Sequence, residues 1–296
     1  MPTPSPATAA SPLEAFNAPL HIGAVTLAVH DLDLMTTFYE QMLGLDVIEK
    51  SAARTTLGND GMALVHLDHR PNATRENPKS AGLFHTAFLV PTRAGLGAWL
   101  LQASERKLQF TGMSDHQVSE ALYLDDPEHN GIEVYVDRPR SAWVPEGDGV
   151  HMTTERLNTA SLTADGRTFT GDAKRLPSGT RVGHVHLKVG GIAGAEQFYR
   201  DRLGLDIMHR RNGARFFGSG RYHHHIAGNT WFSDGSAPRA GDTTGLVGFE
   251  LVARSDADFK AVSDHLVANG VTVATNADGL ALSDPWNIAI AIRKPS

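Results

Sequence analysis

Apolar and polar residues alternate through "AVTLAV" (24–29) and "HVHLKV" (184–189), the period of half-buried strands. Each run leads into a helix that presents a Phe-Tyr pair and stops near the Gly of Leu-Gly-Leu-Asp, a C-cap position. The two helix ends read "FYEQMLGLDVI" (38–48) and "FYRDRLGLDIM" (198–208) and stand 160 residues apart, which marks an internal repeat. Two looser units open on "HTAFLV" (85–90) and "VGFELV" (247–252) and continue into the helical patterns "GLGAWLLQASER" and "ADFKAVSDHLVANG". Both close on an Asp-Pro turn and a last strand, "DPEHNGIEVYV" and "DPWNIAIAIR". The pattern predicts an α+β fold of four modules, 20–72, 82–138, 181–234 and 245–294, each a strand, a helix and several further strands. Residues 139–180 are polar and predicted to form a partly ordered linker.

Composition narrows the chemistry. The 296 residues, 41% hydrophobic, suffice for two domains with cores of their own. A net charge of −6 gives no pull toward nucleic acid or an anionic membrane, and no apolar run is long enough to span a bilayer. The first nineteen residues are rich in Pro, Ala, Ser and Thr, without Lys or Arg, and predict a disordered tail (1–19) rather than a secretion signal. There is no cysteine, so disulfides and thiolate sites are excluded and a reducing cytoplasm is the default location. Fifteen histidines remain. A metal here would be bound through imidazole and carboxylate.

Comparing the modules singles out particular residues. The strand-opening position is Ala24, His85, His184 and Val247 in the four modules, so two carry a histidine where two carry a small apolar residue. Glu133 interrupts the apolar closing strand of module two, where its counterpart in module four falls near Ala289. An isolated His85 reads equally as a satisfied core histidine, but a carboxylate on such a strand must be paired, ligated or turned outward. Two imidazoles and one carboxylate are the protein ligands of non-haem Fe(II) oxygen chemistry. His186 follows His184 on the same strand face and is the competing ligand. In "GRYHHHIAGN" strand alternation sends His223 and His225 one way and His224 the other. The 160-residue offset pairs His224 with Leu64 and His225 with Val65. His21, His66, His69, His129, His151 and His265 read as surface or turn residues, and "HRRNGAR" (209–215) as a solvated turn.

The stretch "SDHQVSEALYLDDPEHNGIE" (114–133), with "VGHVHLKV" and "YHHHIAGN", resembles the type I extradiol ring-cleavage dioxygenases of the vicinal-oxygen-chelate fold, in their bacterial catechol 2,3-dioxygenase branch. The resemblance covers nearly the whole chain after the tail. It implies four βαβββ modules, with Fe(II) (or Mn(II)) held by His85, His184 and Glu133. It also implies a catechol and O2 as substrates and a 2-hydroxymuconic semialdehyde as product. His224, in a His-x-x-Ala context, would carry protons, while His116 and Tyr123 would hydrogen-bond the reacting oxygens. A homo-oligomer is expected. Two positions depart from the family signature, Ser114 and His129, both in turns. A third departure is modular order, since the ligands fall in modules two and three. Those two modules are therefore expected to pair, leaving one and four as a metal-free scaffold. Two other functions occur on such a fold: a glyoxalase-type lyase or isomerase, which takes four protein ligands, and a drug-sequestering binding protein, which needs no metal triad.

Overall fold

In the computed structural model, residues 14–295 are described. Module one holds β1 (Leu20–Val29), α1 (Leu32–Phe38), β2 (Asp46–Lys50), β3 (Arg54–Asn59) and β4 (Met62–His69). Module two holds β5 (Gly82–Leu89), α2 (Arg93–Glu105), β6 (Gly112–Asp115), β7 (Ser119–Asp125) and β8 (Gly131–Asp137). The connection contains β9 (Pro145–Glu146), β10 (Gly149–Val150), β11 (Glu155–Arg156) and α3 (Thr159–Gly166). Module three follows with β12 (Arg181–Lys188), α4 (Ile192–Ala195), β13 (Asp206–Arg211), β14 (Ala214–Gly218) and β15 (Ile226–Asn229). Module four ends the chain with β16 (Gly245–Ala253), α5 (Asp256–Ala268), β17 (Ala274–Asn276), β18 (Gly279–Ser283) and β19 (Ala289–Arg293).

Two mixed sheets result. One runs β11-β6-β7-β8-β5-β12-β15-β14-β13, the other β17-β18-β19-β16-β1-β4-β3-β2. Modules two and three therefore meet along the antiparallel β5·β12 seam, and modules four and one along β16·β1. This is the pairing that ligands in modules two and three require.

The repeated sequence signatures have a shared physical cause. Both Leu-Gly-Leu-Asp glycines are left-handed, Gly44 at φ 80° and Gly204 at φ 84°, which ends each helix and turns the chain back into a strand. Upstream, the tyrosine of each Phe-Tyr pair is buried and donates to the aspartate of an Asp-Pro turn in the next module. Tyr39 Oη lies 3.1 Å from Asp126 Oδ2, and Tyr199 Oη 2.8 Å from Asp284 Oδ2. The same aspartates take the backbone N–H groups of their own turns, so each buried charge is fully satisfied.

Four expectations change. The predicted tail is shorter than 1–19: Ala15–Asn17 form a helical turn, Ala15 is buried, and its carbonyl accepts from His225 Nε2 at 2.9 Å. Residues 1–13 lie outside the described residues. The connection 139–180 is built into the fold, with β11 extending the sheet beside β6 and α3 packed on α2. That packing is close because Gly97 and Gly166 face each other; a Cβ on Gly97 would sit 2.1 Å from the Leu162 carbonyl oxygen.

The histidine triplet is not on a strand. Strand β15 begins at Ile226, and residues 219–225 form the link from β14. Val25 and Leu57 both register with Val65, whereas Val185 and Phe217 both register with Ile226. Module three is thus one residue longer here, and the 160-residue offset places the triplet one position out. Module four also needs no gap. Its Asp-Pro turn closes Asp284 N on Ile288 O, as Asp126 N closes on Asn130 O, so Glu133 corresponds to Ala291 rather than Ala289.

Candidate metal centre

Alternation along β8 buries Ile132, Val134 and Val136 in the core and turns Glu133, Tyr135 and Asp137 to the concave face of the sheet. His85 on β5 and His184 on β12 come from the next two strands in order, so three adjacent strands each deliver one donor. Glu133 Oε2 is 2.9 Å from His85 Nε2 and 3.1 Å from His184 Nε2. Three donors on one face of an octahedral ion, at bonds of ~2.1 Å and right angles, stand about 3.0 Å apart. Both spacings to Glu133 have that size, all three donor atoms lie within 4.8 Å of one another, and the groups are 6%, 2% and 2% exposed for His85, Glu133 and His184. Burial by itself raises the Glu133 carboxyl, but the neighbouring His184 and His85 outweigh it and hold the group well below the usual carboxylate range. Burial lowers His184 to about 4, so it is neutral at pH 7, and its Nδ1 finds no partner among the described residues. The donor set of two imidazoles and one carboxylate fits a divalent metal ion.

The open side of this cluster faces a cavity of about 680 Å³. On one wall His116 Nδ1 donates to the Thr153 carbonyl at 2.6 Å, leaving Nε2 to accept from Tyr123 Oη at 2.7 Å. Burial, then the charge of Glu133, raises the Tyr123 phenol well above its ordinary range, so it stays a donor. On the opposite wall the His224 ring lies 4.1 Å from that of His184, and burial keeps it well below the ordinary imidazole range. His186 also lines the cavity. Asn229 Oδ1 accepts from Trp231 N, which fixes the amide so that Nδ2 donates to His186 Nε2 at 3.0 Å.

A match to the model of the Glyoxalase/Bleomycin resistance protein/Dioxygenase superfamily covers residues 21–134 and 181–283, close to the two halves just described. The chain belongs to this superfamily. A catechol-2,3-dioxygenase of Bacillus subtilis (strain 168) is 35% identical over 272 residues, 90% of this chain and 94% of that protein. A biphenyl-2,3-diol 1,2-dioxygenase 3 of Rhodococcus globerulus is 31% identical over 139 residues, 46% of this chain and 72% of that protein. Among solved structures, glyoxalase I of Zea mays superposes with a TM-score of 0.55 at 12% identity, covering 95% of each chain. At that identity the likeness shows the superfamily fold alone.

Within this superfamily fold all six candidate residues, His85, Glu133, His184, His116, Tyr123 and His224, line one cavity. His223 and His225 turn away from it, one toward Asp137 and the other toward Ser219 and Ala15. Other parts of the wall were not legible. Phe84, Phe216 and Trp231 surround the His186 ring at centroid distances of 4.9, 5.8 and 5.7 Å. Met152, Thr153 and Thr154 come from the connection, and His209 and Arg211 from the segment read as a solvated turn. That reading suits the Asn-Gly tip, where Gly213 is left-handed, but not its flanks. Of the two departures from the signature, Ser114 lies on β6 rather than in a turn and lines the cavity, while His129 sits in the Asp-Pro turn at φ 69°, a conformation suited to glycine.

Proposed function

We propose that this protein is an extradiol ring-cleavage dioxygenase that opens a catechol with O2 at a non-haem Fe(II) held by His85, Glu133 and His184. The observation that carries the reading is the convergence of two imidazoles and one carboxylate with their open side toward a large cavity. The named activity of the 35% identical relative supports it. Bound Fe(II) would supply Lewis acidity and one-electron chemistry toward O2.

The chain's own residues supply the rest. Three protein ligands leave one face of the site to exogenous molecules. Neutral His224 accepts the proton of a catechol hydroxyl, and the Tyr123 hydroxyl turns its one hydrogen from His116 Nε2 to an oxygen of the bound substrate. Phe84, Phe216 and Trp231 give the ring an apolar bed. A cavity of about 680 Å³ is within the range that takes drug-sized ligands, so substituted catechols are accommodated. A four-ligand lyase centre fits less well, because the cluster among the described residues has three donors. A sequestering pocket has no use for a buried carboxylate between two imidazoles. We place the protein in the cytoplasm as a homo-oligomer: Fe(II) persists in a reducing compartment, and the chain carries no cysteine.

The test is anaerobic loading with Fe(II), or separately Mn(II), followed by catechol and air. A yellow ring-opened product with matching O2 uptake is expected from one of these metals. It should be lost together with bound metal in His85→Ala, Glu133→Ala and His184→Ala. No O2 uptake with either metal, or full metal content in those variants, would overturn the reading.

A further inference from the structure

Behind His224, away from the cavity, stands a carboxylate that the proposed chemistry does not use. Asp137 ends β8 on the same face as Glu133, and its Oδ1 is 2.8 Å from His223 Nε2. Its Oδ2 accepts from Tyr222 Oη at 2.9 Å, and Tyr222 Oη is 2.9 Å from Tyr135 Oη. His223 Nδ1 is in turn 2.7 Å from His224 Nδ1, and both rings are buried.

The hydrogens in this chain can be assigned from its end. A carboxylate only accepts, so the His223 Nε2 that faces Asp137 carries a hydrogen, and a ring with that one hydrogen has its lone pair on Nδ1. His224 must then donate from Nδ1, which leaves its Nε2 with a lone pair on the cavity side of the ring. A free imidazole takes either tautomer, and the partner of one nitrogen decides which is present. The next residue shows the selection in reverse. His225 Nδ1 accepts from Ser219 N at 3.1 Å, so its hydrogen sits on Nε2 and goes to the Ala15 carbonyl. Neighbouring histidines are thereby held in opposite tautomers by different anchors.

We propose that Asp137 and His223 are positioning residues that fix His224 as its Nδ1–H tautomer, so that Nε2 meets the substrate hydroxyl as a proton acceptor. This rests on His224 being the base of the proposed reaction. Without the chain, His224 is free to present an N–H, which cannot take a proton from a hydroxyl.

Two measurements test it. In protein labelled with ¹⁵N-histidine and loaded with Zn(II), long-range ¹H–¹⁵N spectra should show His224 protonated at Nδ1 and bare at Nε2, with His224→Ala giving the assignment. A protonated Nε2 on His224 would overturn the proposal. In Fe(II)-loaded protein with catechol as probe, Asp137→Asn and His223→Phe should lower kcat by about 10–100-fold, with KM and iron content unchanged. His223→Gln keeps a donor toward Asp137 and an acceptor toward His224, and should retain most of kcat. Equal losses in His223→Gln and His223→Phe would show mere packing and overturn the assignment. A slow His224→Ala beside unaffected Asp137→Asn and His223→Phe overturns the positioning chain alone. Normal turnover in His224→Ala removes the base, and the chain with it.

Discussion

Replacing Glu133 by Gln tests the centre through the stability of the fold. Without metal, the buried carboxylate accepts from His184 Nε2 at 3.1 Å, with His85 Nε2 2.9 Å away. Hydrogen bonds to a charged group contribute about 1.5–3 kcal/mol each. Against them stands a desolvation penalty of several kcal/mol for the buried charge. The terms nearly cancel, and glutamine preserves the shape, so the metal-free variant should unfold within about 2 kcal/mol of the parent. Metal separates the two proteins. An ion that binds only the native state adds about 4.1 kcal/mol when present at a thousand times its Kd. At roughly 2 °C per kcal/mol for a chain of this size, that raises Tm by about 8 °C. Glutamine removes the one anionic donor of three. A thousandfold loss of affinity would shrink the gain at the same metal concentration to about 0.4 kcal/mol, about 1 °C. Thermal unfolding followed by circular dichroism, with and without anaerobic Fe(II), reads the difference. An equal metal-dependent shift in both proteins would refute Glu133 as a ligand.

Three further outcomes are expected. Burial lowers His225 to about 3, below its unfolded value near 6.5, so the unfolded chain takes up the proton first. The stability it contributes is complete above pH 6.5 and falls as the pH drops toward 3, by about 2 kcal/mol at pH 5. Urea unfolding at pH 7 and pH 5 should show a loss about 2 kcal/mol smaller in His225→Gln than in the parent, because His184 and His224 still contribute, and equal losses would exclude His225 as a source. Gly97→Ala forces α2 and α3 apart, because its Cβ would meet the Leu162 carbonyl oxygen. It should cost about 1–3 kcal/mol and open 139–180 to proteolysis, and an unchanged Tm would contradict the packing. His129→Gly relieves a left-handed residue at φ 69°. Relief of about 1–2 kcal/mol, less about 0.5–1 kcal/mol of glycine entropy, should raise stability by about 0.5–1 kcal/mol in denaturant titrations, where a decrease would count against strain there.

The repeat made the centre legible. Setting His85 and His184 against small residues at the same strand position, with a carboxylate on an apolar strand, points to one candidate site from sequence alone. The demand that ligands from modules two and three meet then selected the seam. Legibility failed where periodicity is short or absent. Strands β9, β10 and β11 are two residues each and leave no alternation to read, so the wall formed by Met152–Thr154 looked like linker. The triplet was misplaced because the extra residue falls between Tyr222 and Ile226, just after a turn whose left-handed pair Gly220 and Arg221 still matches Asp60 and Gly61 of module one. Asp137 is not legible in the sequence for another reason. Its role depends on a loop folding two imidazoles back over the sheet, a contact that no local pattern encodes.

The two tyrosine–aspartate bonds have a topological consequence. Tyr39 ties module one to module two, the β5·β12 seam ties two to three, Tyr199 ties three to four, and β16·β1 ties four back to one. The modules therefore form a cycle, although the polypeptide through them is a line. Nothing in the cycle marks a first or a last member. A circularly permuted chain, opened in the turn between β4 and β5 and joined from β19 to β1, would retrace the same closed path. The order in which the modules are written along the gene is thus a choice the architecture itself does not make.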